Sequence, residues 1–211
     1  MVGGQKTQQT TRERRSDGDR THAAILNTAA AMASVDGIHG LTIGRLADSL
    51  GVSKSGLYAH FGSKEALQLE TIETAKAIFD REVMVPAYQA PEGLPQLESL
   101  LEAYFSYLQR GVFPGGCFFA GLLAEEDAGE GPIHDVVAGF EVEWIESMSQ
   151  LVSTAQRLGQ IATRADPELM AFELYSCMTM TNFHYVLFKS DDVLDRGRRA
   201  MSNIIGRVAS G

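Results

Sequence analysis

Only two cysteines, Cys117 and Cys177, and one tryptophan, Trp144, occur in the 211 residues. Two thiols cannot build a disulfide framework, so a reducing, cytoplasmic setting is the expectation. The polar stretch VGGQKTQQTTRERR has no apolar core of the kind a secretory signal carries. Long apolar runs are also missing. The nearest to one, Leu169 to Phe188, is interrupted by Glu173, Asn182 and His184, and polar groups at mid-bilayer are costly. It reads as a buried helix, and no membrane partner is expected. No CxxC, HExxH or GxxxxGK[ST] occurs, and Gly51-Val-Ser53-Lys-Ser55 lacks the closing glycine of a nucleophile elbow. Glu125, Glu126, Asp127 and His134 are the nearest approach to a metal set. Consecutive acids diverge around a helix, so a solvated cluster is expected there. The reading is therefore no metal, no cofactor and no enzyme.

Basic charge is scarce as well: the net charge is −9. Taken alone, that argues against a polyanionic partner. The distribution of the charge argues the other way. Residues 1–67 hold eight Lys and Arg against six acids, while the remainder holds ten against twenty-one. A mildly basic head on an acidic body orients a protein on a polyanion. Within the head, Arg12, Arg14 and Arg15 lie in a polar segment, before about Asp17, that is expected to lack fixed structure; it reads as a solvated tail, with a basic arm tracking DNA phosphates or a minor groove the minority reading.

The stretch present in the head is TIGRLADSLGVSKSGLYAHFGSKEAL, Thr42 to Leu67. It reads as two short helices about a tight turn, with a third starting at Ser63. Ala47 permits a close helix crossing, Gly51 takes the left-handed turn conformation, and Leu57 fills the wedge. The second helix opens at a serine and presents Lys54, Ser55, Tyr58 and His60. That is how a helix-turn-helix offers its recognition helix to a major groove. Gly56 inside it costs about 1 kcal/mol relative to alanine, which suits close backbone approach to DNA or to a neighbouring helix. Arg45 and Lys54 have the reach for guanine edges, whereas Thr42, Ser53, Ser55, Tyr58 and His60 suit phosphates. Lys64, in the first turn of the following helix, adds its charge to a helix N-terminus, again suiting phosphate.

These residues resemble the N-terminal domain of the TetR family of transcriptional regulators. The likeness rests on Thr42, Ile43, Leu46, Ala47, Gly51, Val52, Ser53, Gly56, Leu57, Tyr58, His60, Phe61, Ser63, Lys64, Glu65 and Leu67. The segment from Arg20 to Gly37 and the run Gly116-Cys117-Phe118-Phe119 share it. The resemblance implies an all-α homodimer that represses transcription from an operator until an unidentified small molecule releases it. Residues 17–67 are then the DNA-binding domain and 68–211 the ligand-binding and dimerisation domain.

The rest of the chain reads as helices throughout. Ile25, Leu26, Ala29, Ala30, Met32 and Ala33 fall on helical spacing, with Asp19 as the expected N-cap. The helix after Ser63 should run to about Val85 and transmit ligand-driven motion. Pro132 opens a helix whose apolar positions Ile133, Val136, Val137, Phe140, Trp144, Met148, Leu151 and Val152 recur at three and four. Asp166-Pro167-Glu168 opens another, apolar nearly all round, which must be covered on two sides, one of them by a partner subunit. A final helix follows Ser190. Tyr104, Tyr107, Phe118, Phe140, Trp144 and Met178 are the candidates for lining an apolar effector cavity. Cys117 follows two glycines, where a thiol is open to access, whereas Cys177 falls inside the buried helix; an inert thiol is the expectation, with a redox role for Cys117 the minority reading. The rival class is an enzyme or small-molecule carrier with an appended helix-turn-helix.

Overall fold

The structure, a computed structural model, describes residues 4–208, with side chains from residue 18 onward. Every regular element in it is helical: α1 Gly4–Asp36, α2 Ile43–Leu50, α3 Lys54–Phe61, α4 Lys64–Phe79, α5 Val85–Gln89, α6 Leu94–Gln109, α7 Phe118–Glu126, α8 Pro132–Arg157, α9 Pro167–Phe188 and α10 Asp191–Gly206. The chain divides into two compact units, Met1–Ala75 and Lys76–Gly211. The division falls inside α4.

Two expectations fail at the start of the chain. α1 begins at Gly4, so Asp19 is an interior residue rather than an N-cap, and the tail before Asp17 is helical. No proline interrupts that segment, and a lone glycine, Gly18, costs a helix only about 1 kcal/mol. The arm formed by Arg12, Arg14 and Arg15 lies outside the described side chains.

In the first unit, Ile25, Leu26, Ala29, Ala30 and Ala33 of α1 are buried with Leu46 and Ala47 of α2 and Leu57 and Phe61 of α3. The turn between α2 and α3 depends on Gly51, whose φ of 67° is left-handed and closes α2 by bonding the Ala47 carbonyl. Gln68 ties the unit from within: its Nε2 donates to the Ile38 carbonyl at 2.6 Å while fully enclosed.

The expected helix from Ser63 is helical beyond Val85, but not uniformly. Asp80–Met84 widens into a π-helical turn before α5. The cause is Pro86, in the first turn of α5. A proline has no N–H for the carbonyl four residues back, and a wider turn accommodates its ring.

In the second unit, α8 packs on α9 and α9 on α10. Ile133, Val137, Phe140, Trp144, Met148, Leu151 and Val152 form the buried stripe of α8. At the α9–α10 crossing a Cβ on Gly197 would overlap the Thr181 side chain, so only glycine permits that approach. α9 buries Met170, Ala171, Leu174 and Met178 yet leaves Leu169, Phe172, Met180, Phe183, Leu187 and Phe188 exposed. No described helix is long and apolar enough to cross a membrane.

Candidate functional site

Each end of the helix-turn-helix is set by its own residues. Thr42 Oγ1 accepts from the Arg45 amide at 3.2 Å and starts α2. Ser53 Oγ accepts from the Gly56 amide at 3.1 Å and starts α3. Gly62 ends α3 by donating to the Tyr58 carbonyl at 2.8 Å, and Ser63 Oγ then caps α4 through the Ala66 amide at 3.0 Å. Such caps satisfy amides that a helix start leaves without partners, each stabilising by about 1 kcal/mol.

Between these ends α3 buries only Leu57 and Phe61; Lys54, Ser55, Gly56, Tyr58, Ala59 and His60 are exposed. Within 4 Å of where a Gly56 Cβ would sit, only Ser53 Oγ is met, at 3.0 Å. Close approach to a neighbouring helix therefore does not explain this glycine. Tyr58 points outward at 59 % exposure rather than packing on α1.

The three long cations differ in their surroundings. Arg45 is engaged: its guanidinium reaches Asp36 at 2.6 Å and the Gly40 carbonyl at 2.9 Å, bracing the turn that precedes α2. Lys54 stands over Gly44, with Asp48 at 3.8 Å as a long, solvent-screened pair. Lys64 donates to the His39 carbonyl at 2.8 Å, which occupies one of its three donors. Sequence spacing places Arg45 and Lys54 on a par, and the Arg45 ties depend on a turn that spacing does not specify. His60 has a neighbour that the sequence does not suggest. Its ring is 6.0 Å from that of His22, which bonds Glu70 at 2.8 Å.

In the second unit Tyr104, Tyr107, Phe118, Phe140, Trp144 and Met178 are all buried, and they converge. Phe79 is the hub. Its ring lies 5.7 Å from Tyr107, 5.9 Å from Phe140 and 5.2 Å from Trp144, each edge to face. Phe119 stacks on Phe140 at 3.6 Å. Sequence reasoning missed Phe79, although it continues the three-and-four spacing of Ile72 and Ala75.

Polar groups thread this aromatic core. Tyr104 Oη donates to the Met178 carbonyl at 3.5 Å, and Tyr107 Oη accepts from the Phe118 amide at 3.3 Å. Asn182 Oδ1 accepts from the Cys117 amide at 2.7 Å. Burial pushes the Cys117 thiol and both tyrosine hydroxyls up, so all three stay protonated at neutral pH. Cys117 is buried and Cys177 half-buried, the reverse of the order that the two glycines suggest, and a thiol held protonated is a poor nucleophile. Glu141 of α8 and Tyr175 of α9 add a pair of polar neighbours, both with pKa raised chiefly by burial, that helical spacing does not single out. A carboxylate one residue from Phe140 and three from Trp144 was the available signal.

The acidic group near α7 departs from the solvated cluster expected there. Glu126 is buried, and its carbonyl lies 3.0 Å from His134 Nδ1. No cluster of three metal-ligating side chains exists among the described residues.

Two capped helices about a left-handed glycine, the second with its polar face outward, define a helix-turn-helix DNA-binding protein. Residues 25–71 match the model for bacterial regulatory proteins of the tetR family, and residues 93–201 that for the tetracyclin repressor-like C-terminal domain. The chain belongs to the TetR family of transcriptional regulators. A search of curated protein sequences gives no match. Among solved structures, a TetR regulator from Chloroflexus aurantiacus superposes with a TM-score of 0.85 at 23% identity, over 93% of this chain and 100% of that one. A TetR-family regulator from Streptomyces coelicolor gives 0.76 at 20% identity, over 90% and 96%. AibR, solved with isovaleryl coenzyme A and operator DNA, gives 0.64 at 19% identity, over 87% and 95%. At such identities the likeness concerns the fold.

Proposed function

We propose that the chain is a cytoplasmic repressor without catalytic activity that binds a palindromic operator as a homodimer and leaves it when a small molecule binds. The observation that carries this reading is the outward polar face of α3. A helix of eight residues that exposes Lys54, Ser55, Gly56, Tyr58 and His60 offers a groove-reading surface and little else. Residues 17–67 take the DNA-binding role and 68–211 the effector and partner roles. Lys54 reads a base edge. Arg45 positions the turn, and Thr42, Ser53, Ser55, Tyr58, His60 and Lys64 hold phosphates.

One short helix reads too few bases for a unique site, so two copies are required. The surface for the second copy is the exposed stripe on α9. Leu169, Phe172, Ser176, Met180, Phe183 and Leu187 recur at steps of three and four on the side opposite Leu174 and Met178. A contiguous apolar stripe of that kind marks an interface, and a two-fold pairing of α9 and α10 would close it. The aromatic core around Phe79 receives the effector. Phe79 sits in the last turn of α4, which supplies a continuous route toward the reading head. Operator and effector then bind with negative coupling.

Selection of duplexes from a randomised pool tests the reading. An inverted repeat should emerge, and its affinity should fall steeply with salt. Lys64→Ala should reduce the log–log slope by about 0.9, the value of one phosphate contact. A pool that enriches no sequence would defeat the proposal.

A further inference from the structure

The aromatic core contains an acceptor with nothing to accept. Glu141 lies on α8 between Phe140 and the turn that carries Trp144. The Tyr175 hydroxyl is its polar neighbour across the α8–α9 packing, yet Oε1 is buried without a hydrogen-bond partner. A buried polar atom left in that state is rare and calls for an explanation. The groups around it do not supply one. The Tyr104 hydroxyl is spent on the Met178 carbonyl, the Tyr107 hydroxyl accepts from the Phe118 amide, and burial keeps the Cys117 thiol protonated. None of the three brings a positive charge. Burial raises the Glu141 pKa, and only the neighbouring Tyr175 hydroxyl opposes it. The basic residue paired along this helix, Lys76, meets exposed Glu143 instead, at 3.7 Å.

The surroundings favour one kind of guest. Trp144, one turn along α8 from Glu141, stands 5.2 Å from Phe79 and 6.3 Å from Tyr175, so the carboxylate belongs to a helix turn flanked by aromatic rings. Aromatic faces and a desolvated carboxylate both attract cations and both repel anions. Glu141 and Tyr175 are each only half-buried, so the pair is reachable from the surface without unfolding. Met148 and Met178, buried nearby, are flexible enough to repack around an entrant.

From this geometry, and resting on the reading of the aromatic core as the effector site, we infer that the effector is a small amphiphilic organic cation. Its protonated amine pairs with Glu141 Oε1 and its apolar body lies against Trp144 and Phe140. The family relationship does not fix this chemistry; the orphaned oxygen does.

Three probes that differ only in the head group test the inference: 2-phenylethylamine, 2-phenylethanol and 3-phenylpropanoate. Trp144 is the only tryptophan, so its fluorescence reports binding directly, with calorimetry as the independent measure. At neutral pH the amine should bind about tenfold or more tighter than the alcohol, the scale of one hydrogen bond to a charged group. The carboxylate should bind least. Glu141→Gln should erase the preference for the amine while leaving the alcohol unchanged. Tyr175→Phe, which leaves the carboxylate in place, should keep that preference. Equal affinity for the three heads, no binding of the amine, or a preference that survives Glu141→Gln would overturn the inference. Operator release, measured separately, distinguishes the two levels. A Glu141-dependent amine that leaves operator affinity unchanged would overturn the effector reading and keep the carboxylate site. A releasing ligand indifferent to Glu141 would do the reverse.

Discussion

Helices α3 and α9 both expose much of their surface, and they do so with opposite chemistry. α3 is eight residues long, capped at each end, and shows solvent a lysine, a serine, a histidine and a tyrosine hydroxyl. α9 is 22 residues long and shows solvent leucine, phenylalanine and methionine. Water tolerates the first indefinitely. The second forfeits roughly 25 cal/mol for each Å² of apolar area left uncovered. Exposure alone therefore does not identify a partner. A polar helix with fixed ends suits a polyanion, whereas an apolar stripe suits another apolar stripe, and the closest one available is its own copy.

The largest effect that can break this comparison is on α9. Met180→Asp combined with Phe183→Asp changes only exposed side chains, so the chain should fold while the homodimer is lost. Operator affinity should then fall by ~100-fold or more, because two linked contacts become one. Sedimentation velocity with a circular-dichroism check of folding decides it; folded variants that stay dimeric place the interface elsewhere. Met178, although on the same helix, is buried and would report on the core instead.

On α3 the expected effect is smaller and specific. Lys54→Ala should cost about 1–3 kcal/mol, concentrated at one operator position. Arg45→Ala should instead weaken all sequences alike, because its guanidinium is committed to Asp36 and Gly40. Binding profiles across a library of single-base operator variants separate the two. If Arg45→Ala shows the position-specific loss, the division of roles is wrong.

The capping of α3 gives the next effect. Ser53→Ala removes the acceptor for the Gly56 amide and should destabilise the fold by about 1 kcal/mol. Ser53→Asp should restore that stability in a denaturant titration while lowering DNA affinity through charge. An alanine variant as stable as the parent would show that the cap is dispensable.

The smallest effect tests the second unit without touching either surface. Arg110 at 2.8 Å and Arg81 at 3.0 Å hold the Glu82 carboxyl below its ordinary value. A depressed carboxylate pKa contributes stability that is present above its unfolded value and lost as pH falls through the folded one. Glu82→Gln should therefore lower stability at neutral pH, by less than about 1 kcal/mol for so screened a cluster. The difference should vanish in acid. A gap that persists at low pH would trace the effect to packing.

Much of the reading head was legible because its signals are local. Gly51, Ser53 and Ser63 each act within a few residues, so their caps follow from sequence alone. Local signals also misled. Asp19 has the chemistry of an N-cap, yet the helix continues through it, since a cap acts only where the preceding backbone leaves the helix. Pro86 was legible in principle, and its π-helical turn follows from a missing amide. The Arg45–Asp36 pair, the Phe79 hub and the Glu141–Tyr175 proximity were not legible. Each joins separate elements, and nothing in helical spacing tells which buried faces meet.

The central claim is that α9 makes the dimer and α3 reads one half-site per copy. Sedimentation equilibrium of the chain, alone and on a duplex carrying the selected inverted repeat, tests it most directly. The account predicts a free species of twice the 22.9 kDa chain mass and whole dimers on the duplex, with one half-site removed costing most of the affinity. A free monomer that binds an isolated half-site as tightly as the full repeat would contradict it.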